Sequence, residues 1–408
     1  MSAPLTTEAV QPTLSVGPSY RELIAFLALS QAMAAVAIDM ILPAFPEIRQ
    51  HLGLAADSPR VSLLITAFML GSGFGALPMG ILADRYGRRP VMWGGLTVYV
   101  LAAIAATRMQ TLGAMIVCRF IWGVASSAPR VISMSMVRDR FEGRRMAQTL
   151  SYVQAVFVIV PILAPTFGAF TLHSAGWRWS MAAPGVAASM LGLWMIRMPE
   201  SLDPQNKRLI SRRAVGEAFS IVVRTRRTVL LTGTLICSLG LVSSYVGLAE
   251  IITDQTYDRK SLFPALFGLI AAAMAVGGLL NARLVGRFGT LRMLKISPLI
   301  MLGIGLVFAS MTLAADGKPP FVFYCACMAA LLAVQTLVFP NANSAALAPL
   351  GHVAGLASGL IGSVSTIAGS LVSILIVQSH GAGVTALAVG ILVLTGVSAV
   401  LSQFATRT

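Results

Sequence analysis

Residues Ser62 to Arg89 read SLLITAFMLGSGFGALPMGILADRYGRR. The first part, 62–83, holds no charged residue. About 20 such residues cross a hydrocarbon core as a single helix. The second part crowds Asp84, Arg85, Arg88 and Arg89 into one short turn. An apolar span running straight into a basic loop is the unit of a membrane-crossing helix whose loop stays on the cytoplasmic side.

That unit recurs along the whole chain. The 408 residues are 56% hydrophobic and only 11% charged, and mean hydropathy is +0.81. A soluble domain carries about 25% charged residues to cover its surface. Apolar spans are predicted at 22–42, 62–83, 91–107, 112–136, 147–171, 180–197, 229–250, 264–285, 294–314, 320–345, 354–378 and 383–404. In lipid the backbone must satisfy its own hydrogen bonds, which selects helices. The alternating ten-residue strands of a membrane barrel are not seen. The expected fold class is an all-α integral membrane protein with twelve transmembrane helices in two six-helix halves. Residues 1–20 lack a basic start and a short apolar core, so they read as a disordered cytoplasmic tail and not a cleaved signal. Residues 21–198 form the first bundle, 199–227 a basic cytoplasmic linker and 228–408 the second bundle.

The net charge of +15 is distributed by topology. Arg85, Arg88 and Arg89 follow the second span. Arg138, Arg140, Arg144 and Arg145 follow the fourth, and Arg283, Arg287, Arg292 and Lys295 follow the eighth. The linker adds Arg197, Lys207, Arg208, Arg212, Arg213, Arg224, Arg226 and Arg227. The alternate loops share only Arg49, Arg60, Arg108, Arg178, Arg259, Lys260 and Lys318. The basic side is therefore cytoplasmic, both termini with it, and a nucleic-acid partner is not expected. Cys118, Cys237, Cys325 and Cys327 lie in apolar spans without metal-ligand spacing. The four histidines, His51, His173, His352 and His380, sit in loops or at span ends. Neither a hydrolytic triad nor a phosphate loop appears. The expectation is a monomeric carrier, not an enzyme, needing no cofactor or metal and driven by an ion gradient.

The segment Gly80-Ile-Leu-Ala-Asp-Arg-Tyr-Gly-Arg-Arg89 is echoed by Asn281-Ala-Arg-Leu-Val-Gly-Arg-Phe-Gly-Thr290 at the equivalent place in the second half. Two related halves are a common basis for alternating access around a midplane site. Gly80 to Arg89 resembles the loop 2–3 signature of the major facilitator superfamily. Arg119-Phe-Ile-Trp-Gly123 resembles its Arg-x-x-x-Gly element of drug:proton antiporters. Pro161-Ile-Leu-Ala-Pro165-Thr-Phe-Gly168 resembles the antiporter motif, with Val160 or Ala164 where that motif carries Gly. Asp39-Met-Ile-Leu-Pro43-Ala-Phe-Pro46, Val137-Arg-Asp-Arg140, Gly176-Trp-Arg-Trp179, Pro340-Asn-Ala-Asn343 and Gly355-Leu-Ala-Ser358 are similar to the Bcr/CflA branch of bacterial exporters. The resemblance spans about residues 25 to 400. It implies proton-coupled efflux of small amphipathic molecules from the bacterial inner membrane.

Individual residues carry that chemistry. Asp39 is the acid placed deep in the first six spans. A carboxylate in lipid is costly to ionise, so it can hold and release a proton; the alternative is a permanent structural pair with an arginine. Arg119, a buried cation of the fourth span, is read as its partner in proton coupling or as a helix pin. Arg130 lies eleven residues on, at about 100° per residue nearly the same face. It is expected to line the cavity or to snorkel towards the cytoplasm. Trp122, Tyr152, Gln154 and Tyr245 are candidate cavity walls, each open to a packing role. Glu250, near the outer end of the seventh span, reads as interfacial. Asp84 can cap a helix start or accept from an arginine. The resemblance makes Gly80, Asp84, Arg85, Gly87 and Arg88 a conformational latch, and Pro161, Pro165 and Gly168 a kinked, closely packed helix. The partners expected are a small-molecule substrate, protons and the lipid bilayer. A dedicated exporter of sugars, amino acids or nucleosides is the alternative on the same scaffold, and a non-transporting membrane sensor the third reading.

Overall fold

The computed structural model describes residues 18–203, 205, 212–379 and 383–407. Most of the expected tail, residues 1–17, and Lys207, Arg208 and His380 lie outside the described residues. The first half comprises α1 (Tyr20–Asp39), α2 (Phe45–His51), α3 (Leu63–Tyr86), α4 (Arg88–Arg108), α5 (Leu112–Arg140), α6 (Gly143–Ala175) and α7 (Trp177–Met195). Then come α8 (Arg212–Arg224), α9 (Arg226–Ile251), α10 (Phe263–Phe288), α11 (Thr290–Ala314), α12 (Phe321–Leu347), α13 (Ala354–Ser379) and α14 (Val384–Ala405).

Eleven helical stretches among the described residues are long and apolar enough to cross a membrane. The twelfth crossing is α7, whose 19 residues rise about 28 Å. Its Trp, Ser, Pro and Gly content lowers its hydropathy, yet it packs into the first bundle against α1, α4 and α6. The chain is thus a multi-pass membrane protein of twelve spans in two halves.

Two features depart from the expected spans. The first span does not end at residue 42. It breaks after Asp39, turns through a short 3-10 segment at Leu42–Ala44 and resumes as α2. Pro43 and Pro46 are the second residues of these two helices, within the first turn, where a missing N–H costs nothing. The expected basic linker also contains a helix, α8. Its Ala218 and Val222 are buried, against a cluster that includes Leu231, Leu235 and Ile361 of the second half.

The repeat legible in the sequence is also a repeat of geometry. Gly87 after α3 has φ +106° and Gly289 after α10 has φ +75°. Each donates its N–H to the carbonyl four residues back, Ala83 or Val285. Each then starts the next helix, a reversal that a side chain would strain. The halves meet where α3 packs on α13 and α6 on α10.

Candidate coupling and transport site

Asp39 is the last residue of α1 and is 6% exposed. Among the described residues its carboxylate has neither a hydrogen bond nor an ion pair. The break beside it is held from two sides. On one, Gly168 of α6 lies directly on the Met40 backbone, so that any Cβ there would collide with the Met40 carbonyl. Pro161 and Pro165 each withhold an N–H donor, but α6 continues through both. On the other side stands Arg119, fully buried. Its Nη1 donates to the Ala37 carbonyl and its Nε to the Leu64 carbonyl, both at 3.1 Å.

Ala37 carries one of the last four carbonyls of α1, which lack helical partners. Arg119 therefore places a cation on the negative end of α1, two residues before the acid. It makes no ion pair with Asp39. Its guanidinium lies over the rings of Phe68 and Trp122, at 4.7 and 4.8 Å.

The expected wall residues separate into two groups. Trp122 is not on a cavity surface. It is fully buried, edge-on to Phe68 and Tyr99 inside the first bundle. Tyr245, from the second half, is also buried and stacks on Phe267 at 5.9 Å. Tyr152 is 46% exposed and its hydroxyl accepts from Gln148, while Gln154 is exposed on the same helix. Arg130 is half-buried, and among the described residues its side chain has no partner. Arg119 touches α1 at Ala37 and Met134 touches α1 at Gln31. By helical rotation Arg130 lies on that same α5 face between them.

At the basic end the loop signature forms a bonded cluster inside the first half. Arg88, 5% exposed, donates from Nη1 to Asp84 at 2.5 Å and from Nε to Asp139 at 2.9 Å. Ser201 adds a hydroxyl bond to Asp139. The cap on α4 is not Asp84. Glu200, beyond α7, accepts the backbone N–H of Arg88 at 2.9 Å and of Arg89 at 3.0 Å. Burial raises the Glu200 carboxyl pKa, but N–H bonds from Arg89, Leu202, Arg88 and Ser201 outweigh it and hold the group below its usual value. Arg85 is exposed and leans on Tyr86, outside the cluster. A Cβ at Gly80 would make an ordinary van der Waals contact with the Val131 side chain, at 3.6 Å.

Two residues read as peripheral are central. Arg49 of α2 and Glu250 of α9 are 1% and 3% exposed and form an ion pair across the two halves, with Nη1 to Oε1 at 3.3 Å and a second, shorter contact from Nη2. Neither lies in a solvated loop. Only the meeting of the two halves brings them together, so local spacing could not have paired them.

The family profile described as Major Facilitator Superfamily matches residues 27–373. The chain is 26% identical over 343 residues to the Bicyclomycin resistance protein homolog of Haemophilus influenzae, covering 83% of this chain and 84% of that protein. It is 26% identical over 363 residues to Multidrug resistance protein MdtL of Klebsiella pneumoniae, covering 87% and 88%. The crystal structure of the human organic anion transporter MFSD10 superposes with a TM-score of 0.65 at 18% identity, covering 95% of this chain and 100% of that one. A family match over most of the length leads to one conclusion: the chain belongs to the Major Facilitator Superfamily.

Proposed function

We propose that this protein exports small amphipathic molecules, drugs among them, in exchange for protons across a bacterial inner membrane. The observation that carries the reading is the buried carboxylate of Asp39, unpaired among the described residues, at the break in the first span. A carboxylate without a partner in a low-dielectric site is unstable as an anion. Its charge state therefore responds to any cation, water or ligand that reaches it. Arg119 fixes the end of α1 through Ala37 without neutralising Asp39. Gly168 ties the same break to α6. Movement of α6 is thereby transmitted to the acid, which is what exchange of a proton for a substrate requires.

The names of two relatives, bicyclomycin resistance and multidrug resistance, support drugs as the substrate class. The arginine-rich loops support a cytoplasmic basic end, with Arg49 and Glu250 towards the outside. In that orientation the cross-half pair closes the outer end. The test is drug uptake into inverted membrane vesicles carrying the protein. Uptake should follow an imposed pH gradient and collapse with a protonophore. Uptake that persists without any gradient would overturn the reading.

A further inference from the structure

One face of α9 lies along the first half. Ser243 donates to the Met69 sulfur at 3.1 Å. Gly247, four residues on, faces Ser62, where a Cβ would sit 3.4 Å from the Ser62 Cβ. Glu250, three residues further, meets Arg49. The spacing of four and three is one helix face, so these contacts form a single seam with the ion pair at its end. Both charged side chains are almost without solvent, 2% and 4% exposed.

For the halves to part at this end the pair must separate. Neutralising one partner of a buried pair leaves the other charge uncompensated in the closed seam, which disfavours closure. The charged groups that face Glu250 are Arg49 from α2, Asp254 from the turn after α9 and Lys260 from the short helix before α10. Asp254 and Lys260 oppose each other in sign at the rim. Arg49 makes the direct contact.

We propose that Arg49 and Glu250 form a proton-operated lock, which makes Glu250 a second proton-binding residue beside Asp39. A proton from the aqueous phase at this end bonds to a Glu250 carboxylate oxygen. The carboxyl becomes neutral, Arg49 keeps its charge and turns to incoming water, and the seam opens without an orphaned anion. Closure returns the proton to solvent and restores the pair. The purpose of the lock rests on the proton-exchange reading above; its opening does not.

Spin labels at Ala56→Cys and Ser261→Cys, exposed rim positions of the two halves, measure the seam in lipid nanodiscs, with the four native cysteines replaced by serine. The unmodified pair should give a short distance at pH 8 that yields to a longer one as pH falls. A single proton changes the closed-to-open ratio by at most about tenfold per pH unit. Glu250→Gln should be open at pH 8 and flat with pH. Arg49→Gln/Glu250→Gln strands no charge and should likewise be flat with pH, whichever distance it adopts, which keeps the test intact if the single variant fails to insert. Asp39→Asn, which leaves Glu250 ionisable, should still show a distance that titrates with pH, whatever its midpoint. A Glu250→Gln protein that titrates like wild type, or a wild type insensitive to pH, overturns the lock. If the seam titrates through Glu250 while vesicles export nothing uphill, the exchange reading fails and the lock stands.

Discussion

Glu200 and Arg88 meet through the backbone: the Glu200 carboxylate accepts the Arg88 N–H at 2.9 Å, while the Arg88 side chain turns the other way to Asp139 and Asp84. One residue thus connects the start of α4 to the end of α7, to α5 and to α3. The loop signature is less a set of charges than a junction of four helices.

The first prediction concerns that cap. Glu200→Ala removes the acceptor for two orphan N–H groups of α4 and should cost about 1 kcal/mol, with solvent screening holding it to the low end. Glu200→Gln should lose only the charge component. Because bonding holds the folded Glu200 carboxyl below its usual pKa, its contribution is present above the unfolded value of about 4.3. It is lost as pH falls through the folded value. Thermal unfolding in detergent should therefore separate wild type from Glu200→Gln at pH 7 and bring them together at acid pH. A gap that stays constant with pH would rule out the charged cap.

The second prediction concerns Arg88. Two of its nitrogens reach Asp139 and one reaches Asp84. Asp139→Asn should impair transport at least as much as Asp84→Asn, each by roughly tenfold, or about 1.4 kcal/mol on the limiting barrier. Since both acids share one partner, the double variant should fall short of the sum. Transport rates in vesicles, normalised to inserted protein, decide it. A wild-type rate in Asp139→Asn would confine the cluster to topology.

Legibility in the sequence followed distance along the chain. The spans and the Gly87 turn could be read because a helix and its cap depend on residues within a few positions. The break after Asp39 was signalled by Pro43 and Pro46, although both are compatible with an ordinary span end. Trp122 could not be placed, since a large ring on a membrane helix suits a core as well as a cavity. The α8 helix is masked by its arginines, whose charge outweighs the short apolar spacing of Ala218 and Val222. Glu200 as the cap of α4, and Arg49 as the partner of Glu250, depend on how distant helices dock, and no local pattern encodes that.

The third prediction concerns Arg130, a cation without a partner among the described residues on the α5 face that meets α1. At about 8 Å and an effective dielectric of 20, one charge is worth about 2 kcal/mol to a ligand ion. Arg130→Ala should weaken anionic substrates and favour cationic ones by up to roughly thirtyfold each relative to a neutral analogue, with the proton dependence of export retained. Competition assays with a matched anionic, neutral and cationic series measure this. An unchanged ranking would assign Arg130 to snorkelling.

The last prediction concerns Asp39. Export against a gradient needs a group that is protonated in one conformation and empty in another. Asp39 has the burial for this role and no fixed counter-charge, because Arg119 is committed to the carbonyls of Ala37 and Leu64. Asparagine keeps the shape of the break but cannot change its protonation. Asp39→Asn should still bind substrate, release no protons on binding and fail in uphill export, while downhill exchange persists. Glutamate restores the ionisable group but adds a methylene where Gly168 already touches the Met40 backbone, so Asp39→Glu should recover only part of the rate. Gly168→Ala forces a Cβ into the Met40 carbonyl and should depress transport with the aspartate intact, which tests the mechanical link separately from the proton. Proton release from purified protein on substrate addition, beside vesicle export across a pH gradient, separates these effects. Uphill export by Asp39→Asn with an unaltered pH dependence would move the coupling role to Glu250.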